Sequence, residues 1–191
     1  MQRLKYTLIY KLSLLFAVLI LNSISAQAQG PAGNAAIQKG GSGLRIPRFV
    51  SLKSDRVNLR QGPSKDHGVV WVYRRAGLPV EIIGEFERWR RVRDAEGNDG
   101  WIYFSLLSGR RTVLIVPWSE RNLSDSAEIE NVTSLHTSKS KSADIVATIE
   151  AGVLANINEC DGNWCHVSVN RFSGWIAQEK LWGVYRGETV K

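Results

Sequence analysis

Cys160 and Cys165 are the only cysteines of the 191-residue chain, and they flank Asp161-Gly162-Asn163-Trp164. Asp-Gly between β-type runs signals a tight hairpin. The spacing therefore sets the two thiols opposite each other on adjacent strands, close enough for a disulfide with slight puckering. His166 follows Cys165 directly, which leaves two other chemistries open: a Cys165–His166 nucleophile pair, and a zinc site on Cys160, Cys165 and His166. Neighbours along a strand point to opposite faces, which opposes the first. A fourth zinc ligand is missing, which opposes the second. In the other half, Glu85 and Arg90 occupy the matching positions, where an ion pair can do similar work.

Seven tryptophans are the next chemistry: Trp71, Trp89, Trp101, Trp118, Trp164, Trp175 and Trp182. Indole walls suit sugar rings and extended peptides, and they equally suit the filling of small cores. Over 89–93, alternation sends Val92 inward and Trp89, Arg91 and Arg93 outward. Trp71 and Tyr73 share a strand face. Trp101 and Trp175 each follow a glycine and are expected to fill the cores, with Trp101 and Tyr103 also kept among the ligand candidates. Arg88, Arg90, Arg91 and Arg93 form a basic run whose planar forks match carboxylates. The candidate ligand-binding set is Arg60, Trp71, Tyr73, Trp89, Arg91, Trp101 and Tyr103, and no catalytic, metal or cofactor residues are assigned. There is no G-x-S-x-G, H-E-x-x-H, phosphate loop or dinucleotide fingerprint.

These residues need elements to hold them. From Phe49 onward the chain is a series of short β-type runs broken by Gly, Pro, Asp and Asn, the pattern of an all-β barrel or sandwich. It also repeats itself. Leu59, Gly77, Trp89, Val92 and Gly100-Trp101 recur in order as Leu135, Gly152, Trp164, Val167 and Gly174-Trp175. The expected fold is all-β, with two small barrels in tandem at 47–109 and 110–187. Val113 to Val116 is the expected joining strand, and 122–131 the expected long loop. Residues 29–46, rich in Gly, Ala, Gln and Ser, read as a flexible leader.

Ahead of the leader, Arg3, Lys5 and Lys11 precede an apolar run from Leu12 to Leu21, and Ala26-Gln27-Ala28 follows. A charged start, a short apolar core and an A-x-A site describe a secretory signal peptide over 1–28, cleaved after Ala28. The run is too short for a spanning helix. A periplasmic or secreted protein with no stable membrane insertion is expected. The mature chain carries +4, with +7 over 29–111 and −3 over 112–191. That is too modest a charge for nucleic acid in a secreted protein, and it fits an anionic wall polymer or membrane surface better.

Three stretches carry a family resemblance. Arg56-Val57-Asn58-Leu59-Arg60-Gln61-Gly62-Pro63-Ser64 resembles the opening of bacterial SH3-like (SH3b) repeats. Trp89-Arg90-Arg91-Val92 resembles their W-x-x-V strand, and Gly100-Trp101-Ile102 with Leu106-Leu107 resembles their closing segment. More narrowly, Gly77-Leu78-Pro79-Val80-Glu81, Leu107 to Thr112, Glu159 to Gly162 and Leu181-Trp182-Gly183-Val184-Tyr185 resemble secreted alphaproteobacterial SH3-like proteins. The resemblance implies two SH3-like β-barrels and a non-catalytic module that holds cell-wall peptidoglycan or a peptide or protein ligand. An adaptor of an envelope complex, an exported host-interaction factor and a cell-wall hydrolase are the alternatives. The second copy departs from the opening motif, with His136, Ser138 and Lys139 in place of Arg60, Gly62 and Pro63.

Overall fold

The computed structural model describes residues 38–116 and 131–191. The signal peptide expected over 1–28, Trp118 and all of the expected long loop except Asn131 lie outside the described residues.

Chain order gives a small hairpin, β1 (Gln38–Lys39) with β2 (Arg45–Ile46), and then a first sheet. Its strands are β3 (Arg48–Leu52), β4 (Val57–Arg60), β5 (Val69–Tyr73), β6 (Pro79–Phe86), β7 (Trp89–Arg93), β8 (Asp99–Tyr103) and β9 (Leu107–Ser108). A second sheet holds β10 (Thr112–Ile115), β11 (Val132–His136), β12 (Ile145–Glu150), β13 (Leu154–Asp161), β14 (Trp164–Val169), β15 (Phe172–Ala177), β16 (Leu181–Trp182) and β17 (Thr189–Val190). The first sheet has the order β5-β4-β8-β7-β6-β3-β9 and the second β12-β11-β15-β14-β13-β10-β16, with β17 added beside β13. Strand for strand the orders are the same, so the sequence repeat is a repeat of topology. All pairings are antiparallel. A bulge recurs at Ile82/Gly84 and at Ile157/Glu159.

Each barrel has its own core. Leu52, Val57, Leu59, Val80, Ile82, Val92 and Ile102 fill the first, and Val113, Ile115, Leu135, Val167 and Ile176 lead the second. The alternation within strands explains which side chains enter. In β8, Gly100 and Ile102 face inward, and Trp101 faces out. A Cβ on Gly100 would lie 2.7 Å from Leu59 Cγ and 2.8 Å from the Arg60 carbonyl, so only glycine lets β8 press onto β4. Gly174 meets the His136 carbonyl at 2.9 Å in the same way. The expectation that Trp101 and Trp175 fill the cores is therefore corrected. The glycine before each takes the inward position, and the indole is left outside, half-buried. Lys139 Nζ lies 4.3 Å from the Trp175 ring centroid.

Of the leader expected over 29–46, the described residues 38–46 are not a flexible tail but a hairpin. This hairpin caps the far end of the first barrel, where Ser42 donates to Glu85 from its backbone N–H (2.7 Å) and its hydroxyl (2.8 Å). Glu85 is paired in register with Arg90 and ion-paired to Arg90 (3.2 Å) and Arg48 (2.7 Å). At the same place in the second barrel, Cys160 and Cys165 are register partners joined by a disulfide. There β17 is the cover, pairing Val190 with Cys160.

The two barrels meet through the motifs that resemble the narrower group. Phe49 packs edge-on against Trp182 (5.1 Å) and tilted against Tyr185 (4.7 Å). Trp182 Nε1 donates to the Pro79 carbonyl (3.3 Å), Thr112 Oγ1 to the Gly77 carbonyl (2.6 Å) and Arg75 to the Gly152 carbonyl (3.0 Å). Tyr185 donates its hydroxyl to the buried Glu81 (3.0 Å), which also holds Arg93. Burial, reinforced by the Glu81 charge, pushes the Tyr185 hydroxyl well above the ordinary tyrosine range. Gly183 has φ +118°, and a Cβ there would lie 2.4 Å from the Thr112 carbonyl. The described residues thus form one compact unit with two cores.

Candidate functional site

A cleft of about 680 Å³ opens on the outer face of the first barrel. One wall comes from β4. Val57 and Leu59 are fully buried, so alternation turns Asn58 and Arg60 outward, and Arg56 continues the row just before the strand. The lip is the 61–68 loop. Arg60 Nη1 donates to the carbonyls of Lys65 (3.0 Å) and His67 (2.7 Å), and the Gln61 N–H donates to Gly68 O (3.0 Å). The His67 ring lies where a Cβ on Gly62 would project, at 2.4 Å, so Gly62 is needed for the loop to fold flat. Pro63, Ser64 and Lys65 are thereby held along the opening.

The opposite wall is aromatic. Trp89 and Tyr103 are register partners on β7 and β8, their rings 5.4 Å apart and edge-to-face. Arg88 Nη1 donates to Tyr103 Oη (3.1 Å). Ser105 and Leu106, in the short turn Phe104–Leu106, close the end. Glu87 is the one acid at the cleft, against Arg56, Arg60 and Lys65. Among the described residues the side chains of Arg56, Asn58 and Lys65 have no hydrogen-bond or ion-pair partner. Such a surface offers stacking planes beside unneutralised cations.

Of the seven sequence candidates, Arg60, Trp89 and Tyr103 come together here. Trp101 is half-buried on the outer face, opposite both Arg60 and Arg91 in register, and does not line the cleft. Arg91 is held bidentately by Asp99 (2.9 and 2.8 Å), which occupies the fork a ligand carboxylate would need. Trp71 is 51% exposed on the edge strand β5, next to exposed Val69 and Val70 and away from the cleft. Tyr73 is not a surface residue. It is 5% exposed within the first core, donates its hydroxyl to Asp94 (3.0 Å), and is pushed above the ordinary tyrosine range by burial and by that carboxylate. β5 runs from the solvent-exposed edge at Val69 into the core at Tyr73, so one strand face holds both environments. Arg56, Asn58 and Lys65 are additional cleft residues. The Arg56-x-Asn58-x-Arg60 alternation is the signal in the sequence for Arg56 and Asn58, and Lys65, in the loop, has none.

A smaller cleft of about 380 Å³ occupies the equivalent place on the second barrel. Val132, Ser134 and His136 replace Arg56, Asn58 and Arg60, and Trp164 and Ala177 replace Trp89 and Tyr103. His136 Nδ1 lies 3.0 Å from the Ala143 carbonyl. A carbonyl only accepts, so Nδ1 carries the proton and tethers the loop as Arg60 does. The disulfide removes both thiol alternatives. His166 instead lies within hydrogen-bond distance of Asn158 (3.0 Å) and Ser173 (3.2 Å). Among the described residues no group of three or more His, Cys, Asp or Glu is placed to hold a metal ion.

The sequence model of the family described as bacterial SH3 domain matches residues 53–109 and 138–183, together more than half of the chain. No curated protein matches it. Among solved structures, NlpC1 from Trichomonas vaginalis is similar at 17% identity and TM-score 0.30, over 80% of this chain and 51% of that one. NlpC2 from the same organism is similar at 16% identity and TM-score 0.30, over 71% and 48%. An NlpC/P60 family protein from Bacillus cereus ATCC 10987 is similar at 10% identity and TM-score 0.30, over 73% and 57%. The chain spans about half the length of these structures.

Proposed function

The chain belongs to the bacterial SH3 domain family, and from that premise we propose that it is a non-catalytic binding module acting in the periplasm or outside the cell. Its ligand is cell-wall material or a peptide, held in the cleft of the first barrel. The observation that carries this reading is the open cleft itself, walled by Trp89 and Tyr103 and lined by Arg56 and Lys65, whose side chains have no partner among the described residues. The disulfide and the signal-peptide pattern support an oxidising compartment. Among the described residues no helix is long and apolar enough to cross a membrane.

Sedimentation with purified sacculi tests the reading. The wild-type protein is expected to be retained, and Trp89→Ala to lose about ten-fold in affinity, the effect of removing an aromatic anchor. Absence of wild-type retention overturns the reading for wall material. Release of soluble fragments from the sacculi overturns its non-catalytic part.

One observation favours a second reading, a protein–protein adaptor. β5 is an edge strand that exposes Val69, Val70 and Trp71, a place where a partner can add a strand. Capture of a protein lost on Trp71→Glu, without sacculus retention, would select this reading.

A further inference from the structure

The cleft has a charge pattern with a definite length. Arg56, Asn58 and Arg60 stand on one side of β4 at every second position. At ~3.3 Å per residue, the two arginines are about 13 Å apart along the strand direction. Lys65 joins Arg60 at one end, because Arg60 itself binds the Lys65 carbonyl. Asn58 lies between the cationic ends, its side-chain amide without a partner. A primary amide offers donor and acceptor together, the complement of a peptide unit. Across from this row, Trp89, Tyr103 and Leu106 give an apolar wall for the uncharged middle of a ligand. Glu87 is the sole acid, and three cations oppose it.

The second barrel sharpens the point. Its Val132, Ser134 and His136 abolish the arginine at both ends of the row. Its aromatic wall loses Tyr103 to Ala177, and its volume is 380 rather than 680 Å³.

We propose that the first cleft recognises an extended acidic peptide segment whose two carboxylates stand four residues apart, one at Arg56 and one at the Arg60–Lys65 end. This rests on the binding reading above and names its ligand class. An extended ligand repeats every two residues, so positions i and i+4 present both carboxylates on one side and match the spacing of the arginines. Arg60 also tethers the loop, so the charges to be tested are Arg56 and Lys65.

The test uses the mature chain and backbone-amide chemical-shift titration with three acetylated, amidated pentapeptides: Glu-Gly-Ala-Gly-Glu, Gln-Gly-Ala-Gly-Gln and Glu-Glu-Gly-Ala-Gly. Pentagalacturonate serves as a sugar polyanion. The first peptide is expected to bind about five-fold more tightly than the glutamine peptide, the sum of two modest exposed ion pairs, and about two-fold more tightly than the adjacent-glutamate peptide, which keeps one of them. Its advantage over the glutamine peptide is expected to fall to about two-fold or less in Arg56→Gln/Lys65→Gln, where Arg60 alone still meets a carboxylate. Equal binding of the glutamine or adjacent-glutamate peptide overturns the inference. So does an acid preference undiminished in the double variant, tighter binding of the uronate, or no peptide binding. If any of these occurs while Trp89-dependent sacculus retention persists, the ligand class is wrong and the binding reading stands. If retention is also absent, both fall.

Discussion

The two barrels share strand order, bulge position and loop tether, yet they differ at two places. At the far end of β6 and β7, the first barrel has Glu85 facing Arg90, and at the same register the second has Cys160 bonded to Cys165. The covalent pair is apolar and enters the second core. The ionic pair brings charge to a nearly sealed position, the Glu85 side chain being 2% exposed. It therefore recruits Arg48 and the Ser42 hairpin to satisfy its oxygens. The second difference lies in the clefts. Arg60 and His136 both tether their loops, and Trp89 and Lys65 have counterparts in Trp164 and Lys141, but Arg56, Asn58 and Tyr103 give way to Val132, Ser134 and Ala177. The shared strand order, bulges and tethers hold the fold, and the cleft proposed to bind differs from its counterpart by Arg56, Asn58 and Tyr103.

Four outcomes can break or sharpen this contrast. The largest is expected from Glu85→Ala, which leaves Arg48 and Arg90 without their common carboxylate. A loss of about 3 kcal/mol in denaturant unfolding is expected, the low end for breaking a buried pair. Cys160→Ser/Cys165→Ser should lose about 2 kcal/mol, because the bridged loop is short. If the double serine variant proves the more damaging, the ionic end is not the more demanding one. Thiol titration of denatured, unreduced protein should find no free thiol, in keeping with the bond.

The third outcome separates the two ends by condition. Burial pushes the Glu85 carboxyl up, but hydrogen bonds from Ser42 and Arg48 and the charge of Arg90 outweigh it and hold the group below the usual carboxylate range. Its stabilisation is therefore complete above the unfolded carboxylate pKa of about 4.3 and is lost as pH falls through the lower folded value. Hydrogen-exchange protection, taken relative to the intrinsic rate at each pH, should fall with acid over 38–46 and 81–93 while 156–169 keeps its own. Reductant at neutral pH should reverse that pattern. Parallel loosening of both ends under acid would contradict the assignment.

The smallest effect concerns the clefts. Trp164→Ala is expected to change sacculus retention less than two-fold, against about ten-fold for Trp89→Ala. Grafting Val132→Arg and Ala177→Tyr into the second barrel should raise retention a few-fold. No gain from the graft would mean that a cationic row and an aromatic wall do not suffice.

Part of this was legible in the chain. The duplication could be read from Trp89/Trp164 and Gly100-Trp101/Gly174-Trp175, because close strand packing admits only glycine at those positions. The disulfide followed from the four residues between Cys160 and Cys165, since a two-residue loop, Gly162-Asn163, sets Asp161 against Trp164 and therefore Cys160 against Cys165. The alternation around Val92 correctly sent Trp89 outward. Tyr73 and Arg91 were less readable. A strand pattern gives the face of Tyr73 but not the depth at which β5 enters the core. Likewise, alternation exposes Arg91 without revealing that Asp99 is its register-shifted neighbour on β8.

The sequence by itself determined an all-β chain, its duplication and its cross-linked hairpin, because these depend on neighbours a few residues apart and on periodicity. Only the tertiary structure decided which cations lack partners, where Phe49, Trp182 and Tyr185 join the barrels, and that a hairpin in the leader caps Glu85. Those outcomes depend on pairs separated by tens of residues along the chain. Their energies exist only once the strands have folded together and water has been excluded between them.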